Sequence, residues 1–288
     1  MNNINLNKEN STTFADSDYN SAAYNAYRPT YPTRLFSKLY DYHASHSSSF
    51  STALDIATGT GYVAIELSKK FQQVNATDIS PIMLSSAPRS SNIQYSVSTA
   101  EDLSQFKDST FDLVTVGQGI HWFDREKFFK EAWRVLKQSG TIAFWGYSYN
   151  VIDGYPNATK KLFKLGTETL GDYWDPGRSV IDNLLRDVMF PDELFRNIIW
   201  ERYEYDKKEG QISNGESLLK EEWGVERVKN YLKTWSSYKN YMSKHQKENQ
   251  KVEDPVDKLF EELKKEEGWK DDQILKTSWP FVLALAEK

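Results

Sequence analysis

From residue 52 onward the chain alternates short apolar runs with segments whose apolar residues recur at helical spacing. The runs at 52–57, 74–78, 93–97, 111–116 and 141–147 read as strands buried on both faces. The segments at 62–71, 81–87 and 124–136 read as the helices between them. Asp124 is the expected N-cap of the last helix, and Phe128, Phe129, Ala132, Trp133 and Leu136 share its expected core face. This order predicts an α/β fold: a doubly wound, mostly parallel sheet with its ligand at the carboxyl ends of the strands. Upstream, Leu35, Phe36, Leu39 and Tyr40 mark a helix over Tyr31 to His43, with Pro32 in its first turn. After Tyr147 the pattern turns helical, punctuated by Gly154, Pro156, Gly171, Pro176, Gly177 and Pro191. The expected organisation is a disordered tail at 1–13, a ligand-binding α/β domain at 14–147, and a substrate-covering helical insertion with closing strands at 148–288. Within the last, Lys244 to Asp254 reads as a charged loop, and Trp279 through Leu285 as a final strand.

The first strand runs into glycines: Leu54-Asp55-Ile56-Ala57-Thr58-Gly59-Thr60-Gly61, with a second acid, Asp78, ending the next strand. Glycine suits a turn where φ is positive or a ligand nears the backbone, and an acid at the second strand's end suits ribose hydroxyls. The run Gly59 to Ala64 also fits G-x-G-x-x-G/A, so a dinucleotide oxidoreductase stays open. Asp55 argues for another ligand. A pyrophosphate would meet its carboxylate unfavourably, whereas the ammonium of an amino-acid cofactor would not. S-adenosylmethionine carries such an ammonium and no phosphate.

These residues resemble motif I of the class I S-adenosylmethionine-dependent methyltransferases, and Asp78-Ile79-Ser80 resembles their acidic motif II. Ser98-Thr99-Ala100-Glu101-Asp102-Leu103 resembles the adenine-facing loop, Phe111 to Val116 the fourth strand, and Leu136 to Thr141 the turn into the fifth. Two positions depart from the family. Ala57 stands where the first glycine of the motif is usual, and is expected to sit at negative φ. Thr99 replaces an acid, which leaves the adenine to backbone groups or Glu101. The resemblance implies S-adenosylmethionine as cofactor, held by Tyr24, Arg28, Asp55, Ala57, Gly59, Thr60, Gly61, Asp78, Ile79, Ala100, Glu101 and Gln118.

Composition narrows the partners. A chain of 288 residues suits one large or two small domains, and a net charge of −5 supplies no field to gather nucleic acid. Zero cysteines exclude disulfides, thiolate catalysis and cysteine-ligated zinc, and no metal is expected. Without a signal-like or membrane-length apolar run, the expectation is a cytoplasmic monomer or weak homodimer acting on a small molecule. The aromatic content, Trp 9, Tyr 17 and Phe 15, allows an aromatic-walled pocket.

Three clusters are candidates for that pocket: Tyr24 to Pro32 with Arg28, His121-Trp122-Phe123-Asp124, and Tyr173-Trp174-Asp175-Pro176-Gly177-Arg178 with Thr234 to Tyr238 further on. The guanidinium of Arg178 suits a carboxylate, with surface ion pairing as the plainer alternative. Together with Phe144-Trp145-Gly146-Tyr147, the clusters resemble the fungal trans-aconitate methyltransferase group, which includes an enzyme that methylates cantharidin. The resemblance implies methyl transfer to a carboxylate oxygen of a small acid. It puts His121, Trp122, Tyr147, Tyr173, Trp174, Arg178, Trp235 and Tyr238 around the substrate, and Tyr24 beside the methyl group. A carboxylate is already ionised at pH 7, so no base is required; for a hydroxyl acceptor His121 is the candidate base. A lipid, quinone or hydroxyl acceptor, and a catalytically silent S-adenosylmethionine-binding regulator, stay open as alternatives.

Overall fold

The computed structural model describes residues 21–213, 217–248 and 252–288; the tail expected at 1–13 lies outside them. Helices α1 (Ser21–Tyr27) and α2 (Thr33–Ala44) precede the sheet, and Pro32 caps α2 instead of entering its first turn. Next come β1 (Thr52–Ile56), α3 (Tyr62–Leu67), β2 (Gln73–Asp78), α4 (Pro81–Ser85), β3 (Ile93–Val97), β4 (Phe111–Gly117), α5 (Arg125–Val135) and β5 (Leu136–Tyr147). This is the alternation that the hydrophobic pattern predicts. Asp124 caps α5 by accepting from the Lys127 N–H at 3.3 Å. The turn into the fifth strand lies inside β5 as an irregularity, with Ser139 at φ +59° and a register shift against β4.

The later elements are β6 (Val151–Ile152), α6 (Pro156–Lys164), α7 (Arg178–Asp182), β7 (Arg196–Tyr203), β8 (Tyr205–Asp206), β9 (Gln211–Ile212), β10 (Leu219–Gly224), α8 (Val225–Lys233), α9 (Ser236–Lys247), α10 (Pro255–Glu267), β11 (Ile274–Trp279) and β12 (Phe281–Glu287). The seven-stranded sheet has the order β3-β2-β1-β4-β5-β12-β7. Its first five strands are parallel, and β12 runs antiparallel to both β5 and β7.

Successive residues of the central strands point to opposite faces, and each face has its own core. On one side Leu113, Ala143 and Trp145 pack with Leu35, Leu39, Val63 and Leu67 of α2 and α3. On the other, Val114, Ile142 and Phe144 pack with Phe128, Phe129 and Ala132 of α5. Each Val, Leu, Ile or Phe among them contributes roughly 1.5–3 kcal/mol when fully buried. Trp133 departs from its expected core place: it is 39% exposed, with the Lys288 ammonium 4.0 Å from its ring centroid.

The segment after Tyr147 holds more strand than its helical reading predicts. Strand β7 forms an edge of the main sheet, where its half-exposed residues blur the period-two signal. Strands β10, β11 and β6 form a second sheet, so Trp279 ends β11 and only Phe281–Glu287 closes the main sheet. Residues Lys244 to Lys247 continue α9 instead of forming a loop. Among the described residues no helix is long and apolar enough to cross a membrane.

Candidate active site

A cleft of about 660 Å³ opens at the carboxyl ends of β1 and β4, where the strand order reverses. This is where an open α/β sheet presents its loops to a ligand. Its floor is the glycine turn. The chain leaves β1 through Ala57 at φ +53°, Gly59 at +56° and Gly61 at +79°. The expectation of negative φ at Ala57 is therefore corrected: an L-residue occupies the left-handed region. Space for its methyl exists because residue 119 is glycine, where a Cβ would approach that of Ala57 to 2.9 Å. Gly61 is confined too, since a Cβ there would lie 2.6 Å from the Tyr95 hydroxyl.

Two acids stand beside the turn. Asp55 is fully buried and accepts from the Thr115 hydroxyl at 2.8 Å and the Thr58 hydroxyl at 2.5 Å. Burial outweighs these bonds and pushes its carboxyl up to about 7. Asp78 accepts from the backbone N–H groups of Gly59 and Ser80, each at 2.8 Å, and burial raises it as well. Each oxygen of Asp78 keeps acceptor capacity for a ligand hydroxyl. Both acids line the cleft, as do Ile79, Thr99 and Ala100. Glu101 also lines it, with one oxygen accepting from the Asp124 N–H at 2.9 Å. Thr60 donates its hydroxyl to Asn25 of α1, which brings the N-terminal arm over the turn.

Gln118 has a further job beyond the cofactor contact expected of it. At φ +56° its side-chain amide accepts from the Tyr147 N–H at 2.7 Å and donates to the Tyr147 carbonyl at 3.0 Å. It thereby adds one rung of pairing beyond β4 and fixes Tyr147 at the cleft. Gly146 makes room for this rung, since a Cβ there would meet the Gln118 oxygen at 2.9 Å and Ile181 at 2.2 Å. Arg28 donates to the Thr234 carbonyl at 2.9 Å and stacks near the rings of Tyr24 and Tyr231.

The roof carries His121, Trp122, Trp174 and Arg178, all lining the cleft. The turn before α7 presses on the His121 backbone: Gly177, at φ +90°, would place a Cβ 2.3 Å from the His121 carbonyl oxygen. Burial, with the nearby Arg178 charge, pushes the His121 imidazole down to about 3, so it is neutral at pH 7. Arg178 Cζ lies 4.0 Å from the ring centroids of both Tyr149 and Trp174.

Three expected pocket residues stand elsewhere. Tyr173 stacks with Tyr241 and His245 of α9. Trp235 is a core ring behind Trp174 and Tyr149, and the next residue, Ser236, reaches the cleft in its place. Tyr238 donates its hydroxyl to Asp254, 2.5 Å away. All three lie in runs where neighbouring aromatics are chemically alike, so composition does not tell which one faces inward. Phe123 and Tyr31, members of two of the expected clusters, line the cleft, and so does Met83, which belongs to none of them. Tyr149, whose ring lies against Arg178, belongs to none of the expected clusters.

The sheet order and the cleft at its switch point are those of the class I methyltransferase fold. Residues 54–144 match the family model described as a methyltransferase domain, and the cofactor is S-adenosylmethionine. The chain is 26% identical to methyltransferase cfoB of Aspergillus candidus, over 97% of this chain and 98% of that one. It is also 26% identical to a Saccharomyces cerevisiae protein described as probable S-adenosylmethionine-dependent methyltransferase CRG1, over 96% and 98% of the two chains. A solved structure of a candidate type II methyltransferase from Anaeromyxobacter dehalogenans shares the fold, with a TM-score of 0.68 at 22% identity, covering 91% of this chain and 98% of that one. The floor suits the cofactor: a turn without bulky side chains, an acid with acceptor capacity beside it, and a buried carboxyl that an ammonium would ionise.

Proposed function

We propose that the protein methylates a carboxylate oxygen of a small organic acid, such as trans-aconitate, forming a methyl ester. The observation that carries this reading is Arg178, whose guanidinium sits on the roof of the cleft floored by the cofactor turn, with its Nη2 paired to Asp182 at 2.7 Å. Arginine pairs with carboxylates through two parallel hydrogen bonds, which fixes orientation as well as position. When bound, the cofactor supplies an electrophilic methyl group on a sulfonium. Asp78 is assigned to the ribose hydroxyls and Asp55 to the ammonium end, with the glycine turn between them. Arg178 holds the acceptor acid, and Trp122 and Trp174 wall its carbon body and exclude water. An ionised carboxylate is already a nucleophile, so alignment is what the site must supply. Holding two reactants in line can be worth roughly 7–11 kcal/mol of the barrier.

His121 supports this reading. An imidazole pushed down to about 3 is a poor base for a hydroxyl acceptor. As a neutral group it serves as a wall of the pocket. Tyr24 and Tyr147 border the same space, and burial raises both phenols, so they stay protonated at neutral pH.

The test is methyl ester formation from a panel of small acids, followed by mass spectrometry, with Arg178→Ala beside the wild type. The variant is expected to raise KM for the acid about tenfold or more, with unchanged affinity for S-adenosylhomocysteine. An unchanged KM removes Arg178 from acceptor binding. A kcat profile flat between pH 5.5 and 8 is expected, and a limb near pH 6.5 that His121→Ala abolishes would restore the base. The aromatic walls favour a second reading, an apolar or hydroxyl-bearing acceptor, for which Arg178→Leu would lower KM. Binding of S-adenosylhomocysteine with no product from any acceptor would point to a silent regulator.

A further inference from the structure

Beneath the roof, between α6 and α7, the backbone makes a feature that methyl transfer by itself does not require. Residues Leu165–Thr169 form a turn of π-helix at the end of α6. Such turns widen the helix, disturb its regular hydrogen-bond ladder and recur at functional sites. The Gly166 carbonyl in this turn accepts two side-chain hydrogen bonds, from Trp174 Nε1 at 2.9 Å and from the Tyr149 hydroxyl at 3.2 Å. The two rings so tethered have centroids 5.9 Å apart and planes at 67°, which makes a V-shaped notch. The Arg178 guanidinium fills it, 4.0 Å from each centroid. Asp182, itself accepting from the Ser148 hydroxyl at 2.8 Å, stands 2.7 Å from Arg178 Nη2. The Nε and Nη2 atoms are shut from solvent without a directed hydrogen bond.

Glycine is required at the base of the notch. A Cβ on Gly166 would lie 2.3 Å from Tyr149 Cε1 and 2.8 Å from its Cζ, which would drive the ring out of place. The backbone turn, the two rings and the arginine therefore form one unit, assembled from α6, the end of β5 and the segment entering α7.

We propose that Gly166, Tyr149 and Trp174 are positioning residues: together they form an aromatic notch that holds the Arg178 guanidinium in one orientation for pairing with the acceptor's carboxylate. The inference rests on the acid-acceptor reading above. A free arginine side chain loses much rotamer freedom when it pairs. Here stacking on the two rings and the pair with Asp182 already restrict that freedom, so more of the pairing energy appears as affinity. The notch also fits a planar cation better than a tetrahedral one, so a lysine at 178 keeps the charge and loses the fit.

The experiment uses the full chain with S-adenosylhomocysteine bound and arginine labelled with ¹⁵N. The Arg178 Nε–H resonance, identified by its loss in Arg178→Lys, is expected upfield of the other arginines from the ring currents of two aromatics, and back among them in Tyr149→Leu. The same proteins are titrated with trans-aconitate as the probe acid. Arg178→Lys, Tyr149→Leu and Gly166→Ala are each expected to bind it about tenfold more weakly at unchanged affinity for S-adenosylhomocysteine. Tyr149→Phe, which keeps the ring and loses only its bond to Gly166, is expected to fall between them and wild type. An Arg178 resonance at the ordinary position, or full trans-aconitate affinity in Tyr149→Leu, overturns the notch. Wild type that binds the acid no better than Arg178→Ala overturns the acid-acceptor reading instead, and the arginine resonance then decides the notch alone.

Discussion

Asp55 is an acid poised near neutrality in the site proposed for the cofactor's ammonium, and Asp55→Asn tests this directly. Its carboxyl stands at about 7 in the folded protein against an ordinary 3.8. An acid raised in this way contributes stability that is complete below its ordinary value and is lost as pH rises through its folded value. A shift of this size corresponds to up to about 4 kcal/mol, lost mostly between pH 4 and pH 7. Asparagine has the same shape and no charge, and the hydroxyls of Thr58 and Thr115 can each donate or accept. The variant should therefore escape the loss. Without cofactor, its stability advantage over wild type should grow by about 3 kcal/mol between pH 5 and pH 8. In a thermal melt this appears as a gap in Tm that widens by roughly 5–10 °C. Cofactor binding reverses the balance, because an ammonium favours the ionised acid. Near pH 6.5 the wild type should release up to about one proton on binding S-adenosylhomocysteine, read by calorimetry in buffers of different ionisation enthalpy; the variant should release none from this site. A Tm gap that is the same at pH 5 and pH 8 would mean that Asp55 ionises at the same pH folded and unfolded.

Two further substitutions probe the floor and the roof. Asp78→Asn keeps one acceptor oxygen and turns an NH2 toward the Gly59 or the Ser80 N–H, so it should weaken S-adenosylhomocysteine binding about tenfold to a hundredfold and cost about 1–3 kcal/mol of stability; undiminished binding would remove Asp78 from the ribose. Gly177→Ala combines a left-handed φ with a Cβ 2.3 Å from the His121 carbonyl, so a loss of about 1–3 kcal/mol is expected from strain alone. It should lower Tm and raise KM for the acceptor more than it changes cofactor affinity, and an unaltered Tm would show that the turn before α7 relaxes freely.

Much of the fold was legible because its signals are local. A buried parallel strand is an apolar run whatever its neighbours, so β1 to β5 fall close to their expected places. A turn with left-handed residues asks for glycine within a few positions, so the floor could be located from Gly59, Gly61 and Asp78. Edge strands carry no such mark. Strand β7 is half exposed and β10 carries Lys220, Glu221 and Glu222 among its buried residues, and both were read with the helical segment. The aromatics misplaced in the pocket fail for a similar reason. Trp174 and Trp235 lie 5.4 Å apart in the same cluster, and only the packing of α9 decides which of them reaches the cleft.

Sequence alone determined the doubly wound sheet, the glycine turn, the two acids and the absence of any thiol chemistry, because each depends on residue type and short-range spacing. Tertiary structure decided what long-range contact sets. It put Ala57 in the left-handed region by leaving Gly119 bare, turned Gln118 into a strand-like clamp on Tyr147, and pushed Asp55 up and His121 down by burial. It also carried Arg178 to the roof of a cleft floored 120 residues earlier in the chain (about 3.3 Å per extended residue leaves that distance wholly unconstrained), where Gly166 and two rings hold it. Desolvation, stacking and steric exclusion are properties of the neighbours a residue acquires on folding, and those neighbours come from elements far apart in sequence.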